Sequence, residues 1–215
     1  MFGKSLQKVK GAFTKKGEEQ SLHASFWVIL AFSITALIAA LVLSVEKIHL
    51  LNNPDAVLSC SFNLVLNCSV VMQTWQAAVF FGIPNMYLGL MAFAVLITVA
   101  VGFLWGGARY NKGFLRLMNI GVLLGTIFAY WLFFSSVYVI QVLCPWCLVV
   151  TVSCTMILAA TAHLGLRENI WNIKKAANDR IQKFLKSGYH QLVVASWLLI
   201  MFALVYLKFG AELFA

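Results

Sequence analysis

Polar and charged positions along this chain gather in short islands. Between them run apolar stretches of the length, about 18 residues or more, that a helix needs to cross a hydrocarbon core of about 30 Å. The first extends from about Phe26 to Val45, and a second from about Pro84 to Trp105. From Leu117 to Leu166 there are 50 residues without Asp, Glu, Lys or Arg, about 75 Å of chain if drawn as one helix. That exceeds two crossings, so the chain must reverse. A tight turn near Ser135 and Ser136 predicts helices over about 115–134 and 137–165. A last span covers about Leu192 to Leu207, giving five membrane helices and an all-α integral membrane fold. The first span follows a basic N-terminus but is longer than the roughly 7–15 apolar residues of a signal peptide, so it reads as an uncleaved helix.

One connection stands apart from the short turns. The interval from about Glu46 to Ile83 opens with the helix-breaking Leu51-Asn52-Asn53-Pro54-Asp55. It continues through Ser59–Gln76, uncharged but with Asn63, Asn67, Gln73, Thr74 and Gln76 set among apolar residues. Such a stretch is too polar to span and too apolar to float, which predicts a short helix lying over one end of the bundle.

Composition agrees with the pattern: 62% of residues are hydrophobic and 11% charged, against about 25% charged in soluble domains. The charge then orients the chain. Lys4, Lys8, Lys10, Lys15 and Lys16 precede the first helix; Arg109, Lys112 and Arg116 lie between the second and third. Arg167, Lys174, Lys175, Arg180, Lys183 and Lys186 lie between the fourth and fifth, leaving Lys47 and Lys208 for the opposite side. The positive-inside bias predicts a cytoplasmic N-terminus and an outer C-terminus. It also accounts for the net charge of +9 through topology and anionic lipid, without nucleic acid. The chain divides into a basic N-terminus (1–21), a bundle (22–165, with its loop at about 46–83), a basic segment (166–190) and a fifth helix with a short outer tail (191–215). Within the basic segment, Trp171, Ile173, Ile181, Phe184 and Leu185 among the lysines predict an amphipathic stretch on the inner leaflet.

The candidate chemistry sits in four of the five cysteines. Cys144-Pro145-Trp146-Cys147 places a C-x-x-C at the outer start of the fourth helix, with Pro145 suited to the first helical position. A sulfur there meets unpaired N–H groups and the positive end of the helix dipole, which favours thiolate. The i, i+3 spacing puts both sulfurs on one face, within reach of a reversible disulfide. The plainer readings are two buried small residues or half of a zinc site, which would need two further ligands. Cys60 and Cys68 lie on the same side; eight positions apart in a continuous helix they would be separated by about 12 Å, too far for a disulfide, so the segment must bend when they are joined. A static structural bridge is the rival there, but a redox C-x-x-C on the same side favours a relay. Cys154 reads as packing, and His23, His49, His163 and His190 as interfacial. Electrons leaving cysteines at a membrane surface need an acceptor in the membrane, and a quinone is the candidate. Asn85, after Pro84, offers a hydrogen bond to its head or, alternatively, a helix cap.

The order Cys60-x7-Cys68, Thr74, Phe81-Gly82-Ile83-Pro84-Asn85-x3-Gly89, Tyr130-Trp131-Leu132 and Cys144-Pro145-Trp146-Cys147 resembles the bacterial vitamin K epoxide reductase homologues over roughly residues 25–165. The resemblance implies a four-helix bundle around a quinone, capped by the cysteine loop and its short helix. It implies that Cys147 reacts with the quinone and that Cys144 is its partner, attacked by a loop cysteine, Cys68 foremost. Cys60 would complete the loop disulfide and take part in exchange with the partner protein. Thr74 matches a position near the redox centre where the family often has serine, and Asn85 matches an asparagine that contacts the quinone carbonyl. Many bacterial relatives carry a fused thioredoxin-like domain, whereas this chain ends at Ala215, which implies a separate DsbA-like or thioredoxin-like partner in a bacterial membrane. The family's bacterial distribution favours menaquinone over ubiquinone. Animal members have tyrosine where this chain has Thr151, which sets vitamin K epoxide reduction as the alternative role. A cysteine-based metal transporter is the rival from another class; the uncharged 50-residue run lacks the intramembrane charges such proteins carry.

Overall fold

The computed structural model describes residues 2–54 and 58–210. Among them are helices α1 (Phe2–Asn52), α2 (Cys68–Gln73), α3 (Asn85–Leu104), α4 (Lys112–Ser135), α5 (Pro145–Arg167), α6 (Lys175–Lys186) and α7 (Tyr189–Phe209). Five segments are long and apolar enough to span: Gln20–Asn52, Asn85–Leu104, Lys112–Ile140, Pro145–Arg167 and Tyr189–Phe209. The chain is therefore an all-α, multi-pass membrane protein, and the five expected spans are its five long helices. Residues 211–215, the end of the expected 191–215 segment with its short outer tail, and the turn residue Asp55 lie outside the described residues.

α1 is the hub, packing on α3 and α5, while α4 packs on α5. Small side chains on α1, among them Ser33, Ala36, Ala39 and Ala40, are buried. They let neighbouring backbones approach, as association in lipid requires where no hydrophobic drive separates protein from solvent. A Cβ placed on Gly89 of α3 would meet Ala40 Cβ of α1 at 3.7 Å, an ordinary contact distance across that seam. Larger apolar residues such as Trp27, Ile38 and Leu41 stay exposed on the outer face of α1, where lipid would cover them. At the basic end, Lys112 Nζ reaches Asn169 O at 3.4 Å and Arg116 Nε donates to Ile170 O, joining the start of α4 to the end of α5.

Two boundaries differ from expectation. The chain does not turn at Ser135 and Ser136: both are buried, and α4 widens into a π turn over Ser136–Ile140. Reversal comes at Gln141, whose φ of 60° places it in the left-handed region. A serine inside an apolar helix can bond its own backbone and does not end it, so the uncharged run held no reliable turn signal there. Likewise α1 continues past Val45 to Asn52 and carries Glu46 and Lys47 out to the cysteine loop. Glu46 accepts hydrogen bonds from the backbone and hydroxyl of Ser59, and Lys47 Nζ donates to Met72 O at 2.9 Å. The expected capping helix is present as α2 followed by a 3-10 turn, Trp75–Ala78. In the basic segment, Leu185 of α6 is buried, and Gln182 Nε2 donates to Leu166 O at 3.0 Å at the end of α5.

Candidate functional site

The cysteine loop is organised by two asparagines. Asn63 Oδ1 accepts from the backbone N–H groups of Val65 (3.0 Å) and Leu66 (2.7 Å), closing an Asx-type turn. Asn67 caps α2: its Oδ1 accepts from Ser69 N (3.0 Å) and Val70 N (3.3 Å), and from the hydroxyls of Ser61 (2.9 Å) and Ser69 (2.6 Å). Cys68 is then the first residue of α2. The bend needed to join residues 60 and 68 is supplied by this turn: Cys60 and Cys68 form a disulfide with Cα atoms 5.7 Å apart.

The C-x-x-C is mounted in a parallel way. Cys144 is the N-cap of α5 and Pro145 occupies its first turn; Cys144 Sγ accepts from Cys147 N at 3.4 Å. The two mounts are stitched together by a parallel bridge between Leu66 and Leu143, with Leu143 N donating to Val65 O (2.7 Å) and Asn67 N to Leu143 O (2.9 Å). Each bridge partner stands at or next to the residue before a cysteine. The bridge therefore brings Cys68 Sγ within 3.3 Å of Cys144 Sγ. Cys60, Cys68 and Cys144 are each no more than 1% exposed. Cys144 and Cys147 are free thiols, and Cys147 is partly buried. The Cys144 thiol is held below its ordinary range, chiefly by a hydrogen bond from the Cys147 side chain; burial opposes this, and the backbone N–H groups of Cys147 and Trp146 add to it.

Below the thiols lies a cavity of about 690 Å³, bounded by α1, α3, α4 and α5 and capped by α2 with its 3-10 turn. That size suits an organic ligand. Cys144, Cys147, Gln76 and Asn85 line it at the cysteine end, and Leu96, Val99 and Phe114 towards the other; most of its wall is apolar. The chemistry of this lining fits a hydrophobic quinone: an apolar sleeve with thiols and a few amides at one end.

The other expected site residues fall as follows. Asn85 lines the cavity, but its amide is engaged with the capping segment, Nδ2 donating to Gln76 O at 2.6 Å and Oδ1 accepting from Val79 N at 3.3 Å. One Nδ2 hydrogen is left for a ligand. The turn that delivers it, Phe80–Ile83, holds Phe81 and Gly82 both at positive φ. Thr74 is not among the lining residues: it ends α2, and its hydroxyl donates to Val71 O at 2.8 Å. The same carbonyl accepts from the Thr74 backbone N–H at 3.2 Å, so the hydroxyl serves the helix end and not a ligand. Cys154 lines the cavity two turns below Cys147. Among the described residues no cluster of three or more His, Cys, Asp or Glu is placed to hold a metal ion. The Leu66–Leu143 bridge had no sequence signal, since backbone pairing is blind to the side chains that carry it.

The model of the vitamin K epoxide reductase family matches residues 27–162, well over half of the chain. No curated protein and no solved structure gives a significant match.

Proposed function

This chain belongs to the vitamin K epoxide reductase family, and from that premise we propose that it is a thiol:quinone oxidoreductase that reoxidises an exported DsbA-like or thioredoxin-like partner. The family makes it a membrane oxidoreductase of thiols and quinone. The partner, the direction of flow and the residue roles are our reading. The observation that carries it is the 3.3 Å approach of Cys68 Sγ to Cys144 Sγ, between a bonded loop pair and a C-x-x-C that lines an apolar cavity.

In this reading the reduced partner gives two electrons to the Cys60–Cys68 disulfide and leaves oxidised. The Cys68 thiolate attacks Cys144 of a Cys144–Cys147 disulfide; a Cys68–Cys144 bond forms and Cys147 leaves as thiolate. Cys60 then attacks Cys68, restoring the loop disulfide and releasing Cys144. The Cys144 and Cys147 thiols pass two electrons and two protons to the quinone, closing their own disulfide and yielding quinol. The arrangement in the structure, loop pair bonded and C-x-x-C free, corresponds to the stage before that last step. Asn85 offers its remaining N–H to a head-group carbonyl, and Thr74 acts by ending α2. A quinone more oxidising than the partner dithiol draws electrons inwards, with each 30 mV contributing about 1.4 kcal/mol. Menaquinone is the favoured acceptor, and the positive-inside bias supports a reading in which the cysteines lie on the outer face of a bacterial plasma membrane with the N-terminus inside.

The test supplies a reduced DsbA-like protein and a short-chain quinone and follows quinone absorbance. Wild type should turn over, and Cys147→Ala should lose about three orders of magnitude or more. Cys60→Ala should lose turnover with the protein donor while keeping it with a small dithiol. Undiminished turnover by Cys147→Ala would sink the assignment.

A further inference from the structure

We propose that Gln76 is a second head-group contact of the cavity, whose free amide serves both the oxidised and the reduced ligand; this rests on the quinone reading above. Gln76 sits in the 3-10 turn that roofs the cavity, at the end where Cys144, Cys147 and Asn85 also line the wall. It is only 6% exposed, and its Oε1 is buried without a hydrogen-bond partner. Among the described residues that line the cavity, it alone has a buried side-chain oxygen or nitrogen in that condition.

Three of the other polar wall residues, Thr126, Thr151 and Asn85, are committed, while Ser136 lines the wall as well. Thr126 Oγ1 donates to Val122 O at 2.7 Å, and Thr151 Oγ1 to Cys147 O at 2.9 Å, each within its own helix. Asn85 is tied at both ends of its amide to the backbone of the segment that carries Gln76. A buried amide oxygen with no partner costs free energy and calls for an explanation; at the wall of a ligand-sized cavity, a ligand head group supplies one. Gln76's own carbonyl is held by Asn85, so the backbone that positions the side chain is fixed, while no hydrogen bond holds the side-chain oxygen.

That freedom matters because the two ligand states present opposite polarity. A quinone carbonyl only accepts, and a quinol hydroxyl also donates. Asn85 can offer only its spare N–H, whereas Gln76 can present N–H to the carbonyl and, after rotation of the amide, C=O to the hydroxyl. Asn85 is thus the fixed contact and Gln76 the adaptable one, and loss of Gln76 should weaken both ligands.

The experiment compares wild type with Gln76→Met, close in volume and without the amide, and with Gln76→Leu. The donor is a small dithiol and the acceptor a short-chain quinone carrying carbon-13 at its carbonyls. Both variants should raise KM for quinone about tenfold with kcat changed less than about threefold. The carbonyl band of bound quinone in infrared difference spectra should shift upward, as expected when a donor is lost and not from a merely structural change. Retention of the Cys60–Cys68 disulfide reports that the variants are folded. Unchanged KM and an unmoved carbonyl band in a folded Gln76→Met overturn the proposal while leaving quinone reduction intact. A wild type that binds quinone, read by tryptophan quenching, but does not reduce it overturns the function instead; the band shift then still decides for or against Gln76.

Discussion

Cys68 and Cys144 face each other across 3.3 Å, each at the N-terminal end of a helix, yet their mountings are unequal. Cys144 heads a 23-residue helix whose Ile157, Ala160 and Leu164 are buried in the main core with α1, α3 and α4. Moving it would disturb the whole bundle. Cys68 heads a six-residue helix held by one asparagine cap, a two-bond bridge to residue 143, and contacts from Glu46 and Lys47 at the end of α1. An element with so few bonds and so short a helix opens at far smaller cost than a bundle helix. The loop pair is also sealed: neither Cys60 nor Cys68 is reachable as the structure stands. The soluble donor of the proposed function would therefore need the loop to lift, and the loop, though packed on Leu43 and Leu50 of α1, is the half with the shorter helix. The contrast is between a movable dithiol and a stationary one that stays against the ligand cavity.

The sharpest test of this contrast is pH. The reverse of the proposed relay step, attack by Cys144 on the bonded loop pair of this structure, needs the Cys144 thiolate, which is present above the Cys144 pKa and lost as pH falls through it. That pKa lies below the ordinary cysteine range, so the midpoint of exchange should fall below that of a free thiol. Each further pH unit down should slow exchange about tenfold, about a hundredfold over two. Acid quenching and mass mapping of the Cys68–Cys144 linkage would show it; a midpoint at or above the free-thiol value would contradict the assigned stabilisation.

Weakening the movable half comes next. Asn67→Ala removes an oxygen that accepts from two backbone N–H groups and two hydroxyls, at a cost of about 0.5–2 kcal/mol to α2. Turnover driven by a protein donor should change by up to about tenfold, with KM for quinone unaltered. An equal change in quinone KM would mean that the two halves are not mechanically separate.

The smallest effect should come from α7, behind the stationary half. Trp197 Nε1 donates to Tyr130 Oη at 2.7 Å, and that oxygen lies 2.6 Å from Thr155 Oγ1 on α5. Trp197→Phe should cost about 0.5–1.5 kcal/mol of stability, seen as a lower unfolding midpoint in detergent, and change turnover less than about twofold. A large loss of activity would make α7 part of the catalytic unit.

The chain alone determined a good deal. Five spans, the all-α class and a loop too polar to cross follow from the spacing of charge and apolar runs, because a bilayer imposes its thickness on any sequence that enters it. The pairing of C-x-x-C with a distant loop pair was equally legible, since sulfur chemistry needs those residues and few others. Tertiary structure alone decided where the third span ends, because the uncharged run around Ser135 and Ser136 lacks punctuation, whereas Pro145 had already marked the start of the fourth. It decided that Thr74 ends a helix instead of facing the cavity, and that Asn85 is bound to the 3-10 turn. It also decided that, among the described polar residues of the loop, Gln76 is the one with a buried side-chain atom left without a partner. Backbone bridges and burial are properties of segments brought together from far along the chain, and no local pattern encodes which atom is left over when they meet.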